Sequence, residues 1–165
     1  MRAAEDVRSI IPAPIRSPVL TTDSSSSAPS PAATLDVATL RVAATGDGVA
    51  EFTVPGTQYR LHLSVEPGFD AAVGRRITGR IHGRALRMHR AGAGGNFIEP
   101  LQGRPRIVQG TVLAVDPAAN EVILDLVVPV RVAMMEGQPA TAFSTGDVVN
   151  FYMEPGTRFS ATSAD

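Results

Sequence analysis

From Ala38 onward apolar and polar residues alternate, and a period of two is the signature of a half-buried strand. Leu40, Val42 and Ala44 share one face, and Ala50, Phe52 and Val54 point inward on the return. Between them lies Thr45-Gly46-Asp47-Gly48, whose Asp-Gly pair supplies the left-handed conformation a hairpin needs. After a second turn at Pro55-Gly56-Thr57, Leu61, Leu63 and Val65 alternate with Arg60, His62 and Ser64. A loop from Glu66 to Val73 ends at Gly74, and Ile77, Gly79, Ile81 and Gly83 continue an apolar or small face.

The plan then recurs. Val112 to Val115 reads as a strand, and Asp116 to Asn120 as a hairpin loop. Val122 to Val128 is a return strand ended by Pro129, and further strands run from Val130 to Met134 and from Gly146-Asp147. Ala38–Ile81 and Gln109–Met153 are offset by 71 residues at the start and 72 at the end. Superposed, Phe52 falls on Leu124, Val54 on Leu126, Arg60 on Arg131, Leu61 on Val132, Gly74 on Gly146 and Ile77 on Val149. Identities are few, so duplication and chance likeness between two meanders both stand as accounts. Short strands, Gly and Pro turns and no convincing amphipathic helix predict an all-β domain. Its form would be a small OB-like or pseudo-duplicated meander barrel.

The flanks read differently. Residues 1–35 hold Pro12, Pro14, Pro18, Pro29, Pro31 and four consecutive serines, and are expected to be a disordered arm. Ile10 to Ile15 is a short apolar piece within it that could dock on a partner or on the barrel. The barrel domain is expected over 36–161, with 162–165 as a disordered tail. The N-terminus lacks a signal peptide's apolar centre, because Glu5, Asp6 and Arg8 interrupt it. No apolar run reaches the roughly 18 residues that span a bilayer. The expectation is a cytoplasmic protein with no membrane partner.

Charge adds one feature. The net charge is −1 at pH 7, so attraction of the whole protein to nucleic acid or membrane is not expected. All 15 cationic side chains are Arg, each a planar fork suited to carboxylate or phosphate. Eight of them, with His82 and His89, lie between Arg75 and Arg106 beside one acid, Glu99. On a strand, Arg76, Thr78, Arg80, His82 and Arg84 share a face, which spaces the guanidiniums about 7 Å apart. Such a row can follow the phosphates of a single strand. A solvated strand face, paired with acids such as Glu66, Asp70 and Glu154, is the competing account. The candidate ligand-binding set is Arg76, Arg80, His82 and Arg84, with Arg87, Arg104 and Arg106 at its margin.

Other chemistry has less support. Gly103-Arg104-Pro105-Arg106 is similar to an AT-hook core, with Gln102 in place of its first Arg, but it leads straight into a strand. Arg80-x-x-x-Arg84 resembles the arginine pair of PilZ domains, whose second motif, Asp/Asn-x-Ser-x-x-Gly, does not follow. His62 and His82 could face each other across adjacent strands, yet their spacing is not diagnostic of a metal site. With no Cys there is no thiolate chemistry, and no nucleophile elbow, P-loop or HExxH is present. No catalytic residue, metal or cofactor is expected.

From Phe97, the run FIEPLQGRPRIVQGTVLAVD resembles a family of small bacterial proteins that carry this segment before a β-hairpin. The resemblance covers roughly residues 50 to 160. It implies a stable β-domain and carries no activity. Gly146-Asp147-Val148-Val149 is similar to the strand entry of OB-like barrels, a mark of fold more than of task. The expected function is a non-enzymatic binding module for an anionic ligand: single-stranded nucleic acid, a nucleotide or an acidic protein surface. The alternatives are a structural protein pairing through strand edges or its arm, and a hydrolase with a loop-built site.

Overall fold

The computed structural model describes residues 34–162. The expected arm and its Ile10–Ile15 piece lie outside the described residues, apart from Thr34 and Leu35. The described chain is all-β. In order it forms β1 (Val37–Thr45), β2 (Val49–Thr53), β3 (Arg60–Val65), β4 (Arg76–Arg84), β5 (His89–Arg90) and β6 (Phe97–Glu99). β7 (Gln102–Gly103), β8 (Ile107–Asp116), β9 (Glu121–Asp125), β10 (Pro129–Ala133), β11 (Val148–Tyr152) and β12 (Arg158–Ala161) follow. No helix among the described residues is long and apolar enough to cross a membrane.

Five strands close a barrel in the order β1–β2–β3–β12–β4 and back to β1. β12 runs parallel to β3 and antiparallel to β4, the arrangement of an OB-like barrel. Leu40, Phe52, Leu61, Leu63 and Ile81 fill it from alternate positions, each at most 1% exposed. Phe52 and Phe159 meet at its centre with centroids 4.7 Å apart, and the half-buried Phe69 packs edge-on against both.

The sheet continues past β4 into a second circuit. β10 runs parallel to the far end of β4, and β9, β8 and β11 follow antiparallel. The segment from β4 to β5 returns to β11 through the Ala85–Met153 bridge, and Leu86 N–H donates to the Tyr152 carbonyl at 2.8 Å. Strand order and the parallel pair match the first barrel. The first circuit is completed by β12, which follows β11; the second is completed by the far end of β4, which pairs with β10 and, through Ala85, with Met153 just past β11. The two share one continuous core.

Ladder registers refine the superposition of the two halves. Both first hairpins have a register shift, at Val42/Ala44 and at Val112/Ala114, opposite Phe52 and Leu124. Phe52 therefore does match Leu124. At the start, however, Ala38 corresponds to the buried Val108 and not to Gln109, because β8 starts at Ile107 rather than Val112. Phe52 pairs with Leu61 and Leu124 with Val130, so Leu61 matches Val130 and Leu63 matches Val132. A slip of two residues keeps every side chain on its face, so alternation alone does not detect it. Pro129 also opens β10 instead of ending β9, a strand-first position where its missing N–H is tolerated.

The glycines of β4 serve packing. A Cβ on Gly79 would meet the Phe159 ring and the Ser160 carbonyl, and one on Gly83 would meet the Met153 sulfur. The close approach there is by the core, not by a ligand. At the other end β12 stops at Ala161, and Thr162 donates its N–H to Thr78 O at 3.0 Å.

Candidate functional site

Arg76, Arg80, His82 and Arg84 do share the outer face of β4, but their surroundings differ. Arg80 donates through Nε to Asp36 Oδ1 at 3.0 Å, and Asp36 is only 1% exposed. Arg131 donates to the other oxygen of Asp36 at 3.0 Å, to Glu121 at 2.8 Å and to Asp116 at 3.3 Å. A carboxylate out of water needs cations and donors around it. Arg80 and Arg131 supply them and tie the start of β1 to both circuits. Burial works against the Arg131 cation, but its bonds to Glu121 and Asp36 outweigh that and raise its pKa above the ordinary value.

His82 lies between Arg158 on β12 and Arg131 on β10. Burial, then the Arg158 charge, lowers its pKa from 6.5, against the pull of Glu121 and Asp36. Arg84 faces Glu154 at 3.9 Å with both side chains substantially exposed, a pair worth little in water. Arg76 sits opposite Arg41 on β1, beside Thr39, Thr53 and Thr78, and neither Arg has an ion pair among the described residues. The row is thus part clamp, part near-neutral histidine and part bare charge without an aromatic neighbour. Of the acids expected to pair with it, Glu154 does so; Glu66 and Asp70 do not.

Two further placements change. His62 and His82 are not on adjacent strands, because β12 separates β3 from β4. His62 bonds to Glu51 at 3.1 Å instead, and Arg60 takes the other Glu51 oxygen at 3.0 Å. The outer face of β2 and β3, where OB-folds often bind ligands, is therefore neutralised within the chain. Arg90 is likewise engaged, donating to Asp147 at 3.0 Å and lying over the Phe143 ring. The Ser144 N–H, then Arg90, holds the Asp147 carboxyl below its ordinary pKa.

The three marginal arginines converge elsewhere. Arg87 lies between β4 and β5, and Arg104 and Arg106 lie between β7 and β8. Two backbone bonds bring these segments against the end of β11: Leu86 N–H to Tyr152 O at 2.8 Å and Met153 N–H to Arg106 O at 2.7 Å. Tyr152 faces outward on β11, between the inward Phe151 and Met153, and is 61% exposed. Leu86 beside it is 45% exposed. Two grooves flank this Tyr152–Leu86 ridge. One, of about 310 Å³, has Phe97, Ile107 and Phe151 along its wall with Arg87, His89 and Asn150. The other, of about 320 Å³, holds Arg104 and Arg106 with Pro105, Met153 and Pro155.

No ion pair engages Arg87, Arg104 or Arg106 among the described residues. The nearest acids in the ladder are Glu99, opposite Ile107 on β6, and Glu154, opposite Arg84. The arrangement offers planar forks free to meet an anion beside an exposed ring that can stack. The sequence holds these groups up to 65 residues apart, from Arg87 to Tyr152, so no local motif joins them. The one local signal is an aromatic at an outward strand position. Neither a family model, nor a curated protein, nor a solved structure matches this chain.

Proposed function

We propose that the protein is a non-enzymatic binding module for a ligand that joins phosphate to a planar base, a nucleotide or single-stranded nucleic acid. It would be held at the Tyr152 ridge. The observation that carries this reading is an exposed tyrosine flanked on both sides by grooves whose arginines have no carboxylate partner among the described residues. Stacking on such a ring contributes about 1–3 kcal/mol per base and tolerates any base. Guanidiniums that are not already paired can take phosphate without breaking a bond inside the protein. The site therefore moves from the β4 row to Arg87, Arg104, Arg106, Tyr152 and Phe97. A cytoplasmic setting, where such ligands abound, belongs to the same proposal.

Pairing through strand edges has less support. The closed barrel leaves no long free edge, and β6 and β7 span only three and two residues. The shared strand order of the two circuits fits duplication of a four-strand unit, in which the outer face of one copy acquired the exposed ring. The resemblance of the segment from Phe97 to bacterial β-domain proteins brings no activity to this reading.

Fluorescence anisotropy with a labelled oligothymidylate tests it. Binding is expected at low salt, with affinity falling as salt rises. Tyr152→Ala is expected to weaken it about tenfold, the lower part of the stacking range. No binding at low salt, or an affinity unchanged by Tyr152→Ala, would sink the proposal.

A further inference from the structure

We infer that the Tyr152 ridge is one end of a longer track, and that its ligand is a strand of several nucleotides instead of a mononucleotide. The inference rests on the reading above and deepens it. The hollows of this surface share walls in sequence. The two grooves at the ridge share Leu86 and Tyr152. The groove holding Arg106 shares Arg104, Pro105 and Pro155 with a water-sized hollow of about 10 Å³. That hollow shares Pro155 and Gly156 with a cavity of about 300 Å³ lined by His82, Arg84 and Arg158. The path thus runs from Arg158, over the β11–β12 connection, to Arg104 and Arg106, and past Tyr152 to Arg87.

Charge along the path has one sign once internal pairs are removed. The acids on it are Glu121 and Glu154. Glu121 bonds to Arg131 at 2.8 Å, and Glu154 faces Arg84 at 3.9 Å. Arg87, Arg104, Arg106 and Arg158 are left without an ion pair among the described residues. A mononucleotide carries its phosphate at one place and meets one end of this path. A strand repeats its phosphates and can meet all four cations. Three cavities of similar size, joined by a narrow saddle, suit the low end of the footprint known for OB-like domains, about four nucleotides. DNA and RNA strands share this chemistry, and comparing the two oligonucleotide series distinguishes them.

The test is affinity against length, using oligothymidylates and oligouridylates of one to about eight residues and the full chain. Affinity is expected to climb to about four residues and then level off, in both series. Arg158→Gln, an exposed side chain whose backbone keeps the β12 ladder, is expected to move the plateau to shorter strands. It should also reduce the log–log salt slope for the longest strand by about 0.7. Arg158→Lys, which keeps the charge, should restore that slope; it is the control if the Gln variant is unstable. Equal affinity for one and eight residues, or a plateau that Arg158→Gln leaves in place, would overturn the track while leaving the Tyr152 site standing. No binding at any length would overturn both.

Discussion

On β4, Arg80 meets a buried carboxylate and Arg84 an exposed one; around Tyr152, Arg87, Arg104 and Arg106 meet none among the described residues. The side chains are chemically identical, so the difference lies in what the fold brings to them. Asp36 is 1% exposed and accepts from a guanidinium on each carboxylate oxygen, Arg80 on one and Arg131 on the other. Leaving a buried charge uncompensated costs about 3–5 kcal/mol, more than the roughly 1.5–3 kcal/mol of a charged hydrogen bond to phosphate. Structure wins that competition, and Arg80 and Arg131 are unavailable to a ligand. Among the described residues no carboxylate forms an ion pair with the arginines at the ridge.

The comparison can be broken at its strongest point. Asp36→Ala removes the shared partner of Arg80 and Arg131. Because two charged hydrogen bonds are lost while Arg131 keeps Glu121 and Asp116, the loss should be about 3 kcal/mol in denaturant unfolding. Oligonucleotide affinity should not rise, although Arg80 and Arg131 both lose this carboxylate. A loss of less than about 1 kcal/mol, as for an exposed pair, would show the clamp to be ornamental and return Arg80 to the candidate site.

A smaller effect concerns His82. Its pKa is lowered from 6.5 in the folded state, by burial and by Arg158, so the unfolded chain binds its proton more tightly. The contribution of this residue to stability is then full above the ordinary histidine pKa and declines as pH falls below it. Urea midpoints measured on either side of pH 6.5 should show that decline, and His82→Gln should flatten it. A stability that rises on acidification through the same window would mean that His82 gains a carboxylate partner, and that the β4 face is acidic instead of basic.

Much of the barrel was legible in the chain. Inward positions such as Leu40, Phe52, Leu61 and Ile81 follow from period two, and Asp47-Gly48 and Asn120 mark the hairpins, Asn120 with φ 54°. Register was not legible to better than two residues, because Leu61 matched to Val130 or to Val132 keeps the same faces. The order of strands was not legible either: β12 enters between β3 and β4 across some 74 residues, and no local pattern encodes that. The same gap hid the site. Arg80 and Arg104 look alike in sequence, and Asp36, 44 residues before Arg80, decides between them. Glu51 does the same for Arg60 and His62.

The central claim is that the arginines beside the exposed tyrosine bind the ligand and that the equally bare pair Arg41 and Arg76 does not. Two charge-matched double variants test it in one oligonucleotide anisotropy experiment: Arg104→Gln with Arg106→Gln, and Arg41→Gln with Arg76→Gln. Each removes two guanidiniums that have no ion pair among the described residues, so the change in net charge is the same. The first pair should weaken binding about tenfold and lower the salt slope by about 1.4, the second should stay within about twofold of the parent protein. Equal losses, or a larger loss from Arg41 and Arg76, would contradict the account.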